Sequence, residues 1–324
     1  MRDRRLWITW EWQRRSIELA QAFGCELAVF DFAGRPFRYT RSLAATVALL
    51  ARRRPSVLFV QNPSMILAAF SCAAGTLFRF PVVVDRHSSF RLGEDVQTTL
   101  AGRVFWRLHL FTLRHADLTI VTNSYLAELV TAAGGRAAVL PDRFPTLRSA
   151  ARVPTEGTIS LLFPASYNRD EPIDAVLDAC RELSSDIHVY VTGNYRKHDP
   201  TLPARAPANV TFTGFLAEQG YVDLLSSVDG VLALTTAQAC MLCGCYEAIG
   251  AGKALITSDQ AVLRDYFDRA MFVLNDPESI AEGIREFARN KERQQENTRT
   301  MLRELSATWD RLFRDVSATI DNLS

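Results

Sequence analysis

The stretch "GVLALTTAQACMLCGCYEAIGAGKALITSD", residues 230–259, decides the fold. "GVLALTT" is an apolar, strand-like run that ends on polar residues. "GCYEAIGAGK" has the pattern of a short helix, and "KALITSD" is a second strand-like run. Strand, turn, helix and strand in so little chain read as a βαβ unit, with parallel strands and a right-handed crossover. Cys240, Cys243 and Cys245 raise a competing reading as a metal or redox site. A structural zinc site needs four ligands, usually as paired knuckles, and no second Cys or His pair lies near. The Cys-x-x-Cys at 240–243 lacks a thioredoxin-like context, and Cys25 and Cys180 stand alone in other elements. The cysteines therefore read as small, soft side chains on a crowded turn, with no metal and no cofactor expected, in keeping with a reducing cytosol.

The turn "AQACMLCG" delivers the chain into a helix. A helix start carries free backbone N–H groups and suits an anion such as a diphosphate. Glu247 lies about one turn further on. Two readings of it stay open: a carboxylate accepting hydrogen bonds from ribose hydroxyls, or a helical Glu facing solvent.

Outward from this unit the same alternation recurs in two sets. "RLWIT", "CELAVFDF", "SVLFVQ", "PVVVDRH", "ADLTIVTN" and "AAVLPD" form the first, with helices such as 14–23 and 40–54 between them. "ISLLFPAS", "IHVYVTG", "VTFTG", "GVLALTT", "KALITSD" and "AMFVL" form the second, with helices such as 173–183 and 219–226. The uncharged run 61–78 reads as a buried helix and is too polar to span a bilayer. A charged, amphipathic segment over 277–322 reads as a last helix. The fold class is α/β, with two Rossmann-like, doubly wound domains; the boundary falls near residue 150. Ligands bind at the carboxyl ends of the strands in such sheets, so the loops there form the site, expected in an interdomain cleft.

A chain of 324 residues exceeds one ordinary hydrophobic core, which agrees with two domains. No apolar leader flanked by Lys or Arg opens the sequence, so no cleaved signal peptide is expected. The net charge of +1 conceals an asymmetry: residues 1–150 hold 20 Arg and no Lys against 11 Asp and Glu, about +9, and the remainder is about −8. An Arg-rich half suits phosphate, nucleic acid or an anionic membrane, and solvated Arg on helix faces accounts for it equally. The run "GRVFWRLHLFTLRH" likewise reads as membrane-facing or as a buried helix.

The second half resembles the donor domain of GT-B glycosyltransferases, in particular the bacterial surface-polysaccharide enzymes of the family-4-like group. The resemblance rests on "VTFTGFLAEQGYVDLLSSVDGVLALTTAQACMLCGCYEAIGAGKALITSD" and spans about 158–290. The first half resembles the acceptor domain loosely, through "RRSIELAQAFG", "DRHSSF", "ADLTIVTNSYLAELV" and "LPD". The resemblance implies an acceptor-side domain over 1–150 and a nucleotide-sugar donor domain over 151–300. It also implies a helix over 301–324, around "SATWDRLFRDV", that crosses back to the first domain. By it Glu247 takes the ribose, and Met241, Leu242, Cys243 and Gly244 turn backbone toward the diphosphate. Gly214 and Phe215 lie under the base, and Gly193 approaches the nucleotide. Ser166, Asn168 and Arg169 form a loop that offers positive charge to the diphosphate. A guanidinium matches phosphate in a fork and stays charged, although Arg169 also has Asp170 and Glu171 beside it to pair with.

Three positions depart from the family pattern. Ala239 stands where retaining members carry a second Glu, Leu242 replaces a glycine, and "TWEWQRRS" follows the first strand without a Gly-rich turn. Both stereochemical outcomes therefore stay open. An inverting transfer needs a base on the acceptor side. Glu11, after the first strand, is the first candidate, and Asp85 with His87 the second. The expected function is a cytoplasmic glycosyltransferase, peripheral on the inner face of the plasma membrane. It would move a sugar from a nucleoside diphosphate sugar to a lipid-linked or oligosaccharide acceptor, without metal and without nucleic acid as partner. A GT-B nucleotide-sugar epimerase and a non-catalytic partner subunit are the alternatives.

Overall fold

The computed structural model describes residues 4–32, 37–62, 64–87 and 99–323. The chain divides into two compact units, Met1–Arg143 with Thr308–Ser324, and Phe144–Ala307.

The first unit runs β1 (Arg5–Thr9), α1 (Arg14–Ala22), β2 (Glu26–Val29), α2 (Arg38–Arg53), β3 (Val57–Asn62), α3 (Met65–Phe78) and β4 (Val82–Arg86). It continues through α4 (Leu100–His115), β5 (Leu118–Val121), α5 (Ser124–Ala132) and β6 (Ala137–Val139). Its strands form one parallel sheet in the order β2-β1-β3-β4-β5-β6. A parallel sheet covered on both faces demands strands that are apolar at every position, as Leu6-Trp7-Ile8, Leu58-Phe59-Val60 and Val82-Val83-Val84 are. One face sets Trp7, Phe59 and Val83 against Leu19 of α1 and Phe23 just after it, with Trp7 stacked on Phe59 at 5.4 Å. The other sets Ile8, Leu58, Val60 and Val84 against Leu67, Ala68 and Cys72 of α3.

The second unit runs β7 (Ile159–Phe163), α6 (Ile173–Arg181), β8 (Ile187–Thr192), α7 (Tyr195–His198), α8 (Leu202–Arg205), β9 (Val210–Gly214) and α9 (Glu218–Ser227). Then come β10 (Gly230–Ala233), α10 (Cys243–Gly250), β11 (Ala254–Ser258), α11 (Ala261–Tyr266), β12 (Met271–Val273) and α12 (Pro277–Asp321). The sheet is again parallel, in the order β12-β11-β10-β7-β8-β9. Both sheets are doubly wound: strand order reverses between β1 and β3 in the first unit and between β7 and β10 in the second. Each reversal opens a crevice at the carboxyl ends of its strands.

α12 departs from helical geometry at Asn290 (φ −123°, ψ 22°). Its last turns belong to the first unit, where Trp309, Val316 and Ile320 join the core and Trp309 Nε1 donates to the Pro141 carbonyl at 3.0 Å. The run 61–78 is not one buried helix. Gln61 and Asn62 finish β3, and α3 leaves Leu77 and Phe78 about 70% exposed at its end. The run "GRVFWRLHLFTLRH" forms a surface helix, α4, that buries only His109, Thr112 and Leu113.

Candidate functional site

The crevice of the second unit is built from the loops after β7 and β10. The two loops are tied together: Thr235 Oγ1 donates to Asp170 Oδ2 at 2.6 Å, and the Thr236 N–H donates to the Asp170 carbonyl at 2.7 Å. Glu171 folds the β7 loop back on itself, its carboxylate accepting the N–H groups of Ser166 at 2.9 Å and Asn168 at 3.3 Å. Burial raises the Glu171 pKa, and those same amides oppose the rise. Ser166, Asn168 and Arg169 are exposed, while Tyr167 is buried with φ +59°. Asp170 and Glu171 spend their carboxylates on Thr235 and on backbone amides. Among the described residues neither pairs with Arg169, so its guanidinium stands in solvent beside the crevice.

Gly193 and Gly214 close the far side of the crevice, where the Gly193 N–H donates to the Gly214 carbonyl at 3.1 Å. Gly193 has φ +93°, and a Cβ there would lie 1.9 Å from the Ala165 carbonyl oxygen, so no side chain fits. Gly214 has φ +74° with open space around it, and Phe215 after it is 79% exposed.

The β10 loop leads through Ala239, which takes φ +56° without being glycine, to Leu242 at the N-cap of α10. Leu242 itself supplies no side-chain cap to this helix start. Met241 is buried, Leu242 and Gly244 are half-buried and Cys243 is exposed. A Cβ on Gly244 would meet Pro164 Cγ at 3.1 Å and Ala233 Cβ at 3.3 Å, so the glycine seats the start of α10 tightly between the β7 loop and β10. Cys245, Tyr246, Ala248 and Ile249 anchor α10 in the core, leaving Glu247 half-buried on the remaining face. There Glu247 Oε2 accepts a hydrogen bond from Tyr221 Oη of α9 at 2.6 Å. The cysteines diverge in environment. Burial, with Asp170 nearby, pushes the Cys240 thiol up to about 11, and burial pushes Cys245 up to about 12. Both are neutral thiols at pH 7, the form that neither attacks nor ligates readily.

In the first unit, Thr9 and Gln61 meet through their side chains across the β1/β3 reversal. Glu11 follows β1 and is 42% exposed, its Oε1 accepting Arg38 Nη2 at 3.0 Å. Asp85, at the end of β4, is fully buried and grips Arg15 of α1 through Nε at 3.0 Å and Nη2 at 2.8 Å. The same guanidinium reaches Asp142 at 2.6 Å and the Leu140 carbonyl at 2.9 Å. Burial works against the Asp85 charge, but Arg15 and His87 outweigh it and hold the carboxyl below its usual range. His87 Nδ1 lies 3.7 Å from Asp85 Oδ2, an ion-pair distance rather than a hydrogen bond, and finds no hydrogen-bond partner among the described residues. Asp85 and His87 are thus neighbours, while Glu11 belongs to a separate pair with Arg38.

Arg86, next along β4, is buried with His109 Nδ1 at 3.0 Å, and burial pushes its pKa down to about 10. Burial, aided by Arg86, pushes His109 down to about 4, so the ring is neutral and its Nδ1 accepts. Sequence reading passed over Tyr221, Arg15 and Arg38. Their partners are distant in sequence, and no periodicity links one helix to a residue on another element.

Two family models match the chain, the "Glycosyl transferase 4-like domain" over residues 6–141 and "Glycosyl transferase-like" over 171–311, so that together they span most of it. The chain belongs to the GT4-like glycosyltransferases of GT-B fold. It is an enzyme of that class, a glycosyltransferase using nucleotide sugars. Solved structures with the same fold include HepE of Anabaena in complex with UDP, at 13% identity and a TM-score of 0.76, covering 98% of this chain and 100% of that one. Sucrose-phosphate synthase of Thermosynechococcus elongatus is 14% identical, with a TM-score of 0.74 and 99% of each chain covered. The lipopolysaccharide outer core galactosyltransferase WaaB in its apo form is 11% identical, with a TM-score of 0.64, covering 98% of this chain and 99% of that one. No curated protein matches the chain in sequence. Among the described residues, no helix is long and apolar enough to cross a membrane.

Proposed function

We propose that this glycosyltransferase moves a sugar from a nucleoside diphosphate sugar to a lipid-linked or oligosaccharide acceptor, building a polysaccharide or glycoconjugate at the inner face of the plasma membrane. The observation that carries the donor half of this reading is the start of α10. Its N-cap residue Leu242 supplies no side-chain cap, it adjoins the β7/β10 reversal, and it has Glu247 one turn further on. HepE structures with UDP and with UDP-glucose support a nucleoside diphosphate as the donor's handle. The WaaB likeness supports a surface glycan as product.

In this reading Glu247 accepts from the ribose hydroxyls, with Tyr221 helping to orient the carboxylate. The backbone of Met241, Leu242, Cys243 and Gly244 meets the diphosphate, and the positive end of the helix dipole favours its charge. Arg169 adds a permanent cation, and Ser166 and Asn168 add polar groups from the same loop. Gly193 and Gly214 leave room for nucleotide against the sheet edge, with the exposed Phe215 ring beside them. In transfer, the bond from the anomeric carbon to the phosphate oxygen breaks and its electron pair leaves with the diphosphate. The helix start and Arg169 stabilise that charge without a metal.

The acceptor hydroxyl forms the new bond and gives up its proton. Of the acceptor-side candidates, Glu11 is paired with Arg38, and Asp85 is spent on Arg15. His87 is tied to no arginine among the described residues and is the better base: its buried Nδ1 faces Asp85, the positioning residue, and its Nε2 takes the acceptor proton. A thermal-shift comparison of UDP, GDP, ADP and TDP tests the donor assignment. A specific ligand at 100 times its Kd adds about 2.7 kcal/mol of stability, and no shift with any of the four would overturn it.

A further inference from the structure

A cavity of about 590 Å³ opens between the carboxyl-terminal ends of α2 and α3, in the size range of roughly 300–1,000 Å³ that holds small ligands. Leu50, Phe70, Phe78 and Phe80 line it together with the exposed Arg54 and Arg79. Pro55 and Phe80, which also line it, lead into β3 and β4. The cavity therefore lies at the amino edge of the first sheet, the opposite edge from Glu11, Asp85 and His87, and is separate from the reaction site.

Three observations say what it takes. First, Arg54 (φ 44°) and Arg79 (φ 59°) are the C-caps of α2 and α3, and both hold the left-handed conformation that glycine takes freely and Arg takes only at a cost. Two separate helices thus each keep a guanidinium where glycine would be the easier residue, and the two line one cavity. Second, among the described residues neither guanidinium has a carboxylate in ion-pair range, and the sequence between Asp31 and Asp85 carries seven Arg and no Asp, Glu or Lys. Third, of the lining residues Phe78 is 69% and Val47 on α2 47% exposed, and Leu77, next to Phe78 in the chain, is 73% exposed. A cation complements the negative end of a helix dipole, but that does not call for apolar side chains in water next to an apolar cavity.

An apolar cavity lined by two arginines that have no ion pair among the described residues, with exposed apolar side chains beside it, matches an amphiphile with an anionic head. We infer that this face docks on an anionic phospholipid bilayer, with one acyl chain in the cavity between α2 and α3 and the phosphate at Arg54 and Arg79. The inference rests on the reading that the enzyme works at a lipid surface, and it concerns docking rather than the acceptor.

Co-sedimentation with vesicles of phosphatidylcholine alone and of phosphatidylcholine with phosphatidylglycerol tests it. The wild type is expected to bind the second kind only. The double variant Arg54→Gly with Arg79→Gly is expected to lose binding by about 30-fold, the effect of removing two basic residues from an anionic surface. Its Tm should hold or rise, because glycine relieves both left-handed positions; a merely structural role would lower it. Phe78→Ser, at an exposed site, should also weaken binding with Tm unchanged. A tryptophan placed by Ala51→Trp on the cavity wall should be quenched by vesicles whose acyl chains carry bromine. Binding by the double glycine variant equal to wild type overturns the inference, as does an unquenched tryptophan in bound protein. A wild-type dimer that Phe78→Ser splits, with no vesicle binding by either, would make this face an interface between two copies instead. Failure of the donor reading shows in nucleotide binding and leaves these vesicle results untouched.

Discussion

Tyr221 Oη donates to Glu247 Oε2 at 2.6 Å, joining α9 to the one carboxylate at the start of α10. The bond fixes a side chain that would otherwise rotate, holding the carboxylate in one orientation. A hydrogen bond to a charged group is worth about 1.5–3 kcal/mol. Tyr221→Phe is therefore expected to weaken nucleotide binding by about 10-fold or more, read as a raised KM for donor with kcat less affected. Equal KM values for variant and wild type would show that Glu247 needs no such support.

Arg15 ties α1 to β4 through Asp85 and to the segment after β6 through Asp142. Asp85→Asn removes the main charge partner of a buried cation, and removing one partner of a buried pair costs about 3–5 kcal/mol. The Asp85 carboxyl is held low in the folded state, so the unfolded chain binds its proton more readily. Its stabilising contribution is full above the ordinary Asp value, about 4, and is lost as pH falls through the lower folded value. Urea unfolding from pH 7 down to pH 3 should show the gap between wild type and Asp85→Asn narrowing on the acid side. A gap that widens toward acid would contradict the assignment.

Gly193 and Gly214 both hold positive φ but differ in surroundings. Gly193→Ala drives a Cβ to 1.9 Å from the Ala165 carbonyl, whereas Gly214→Ala meets nothing nearer than Tyr195 Cε1 at 3.9 Å. Gly214→Ala should cost about 1 kcal/mol for the left-handed conformation alone. Gly193→Ala should cost about 1–3 kcal/mol more, through overpacking against backbone that must shift. Denaturant midpoints of the two variants check the order.

For the acceptor proton, His87→Ala is expected to cut kcat by about 100-fold or more with donor affinity unchanged. Glu11→Gln should cost far less, because that carboxylate is held by Arg38. Proton NMR of the product linkage belongs with these kinetics. A product that retains the donor anomer, made by a fully active His87→Ala, would remove the base from the scheme.

Much of this architecture is legible in sequence because parallel strands are buried on both sides. "SVLFVQ" and "PVVVD" can scarcely be anything but such strands, and β3 and β4 fall there. The start of α10 is legible for the same reason, as the helix between two such runs. The side-chain partnerships are not. Arg15 and Asp85 lie 70 positions apart and Tyr221 and Glu247 26 apart, on elements whose approach the sheet order alone determines. The left-handed caps at Arg54 and Arg79 are also invisible, since the sequence signal for that conformation is glycine. Glu11 looks like a free carboxylate until α2 brings Arg38 to it.

Isothermal titration of wild type and Glu247→Gln with the nucleoside diphosphate that shifts the wild-type melting curve tests the central claim most directly. Glu247 is half-buried on a helix whose core contacts the substitution leaves alone, so the variant should fold as wild type does. The expected result is a loss of affinity of about 10-fold or more, because an amide replaces a charged acceptor for the ribose hydroxyls. Equal affinity in the two proteins would contradict the placement of the nucleotide at the start of α10.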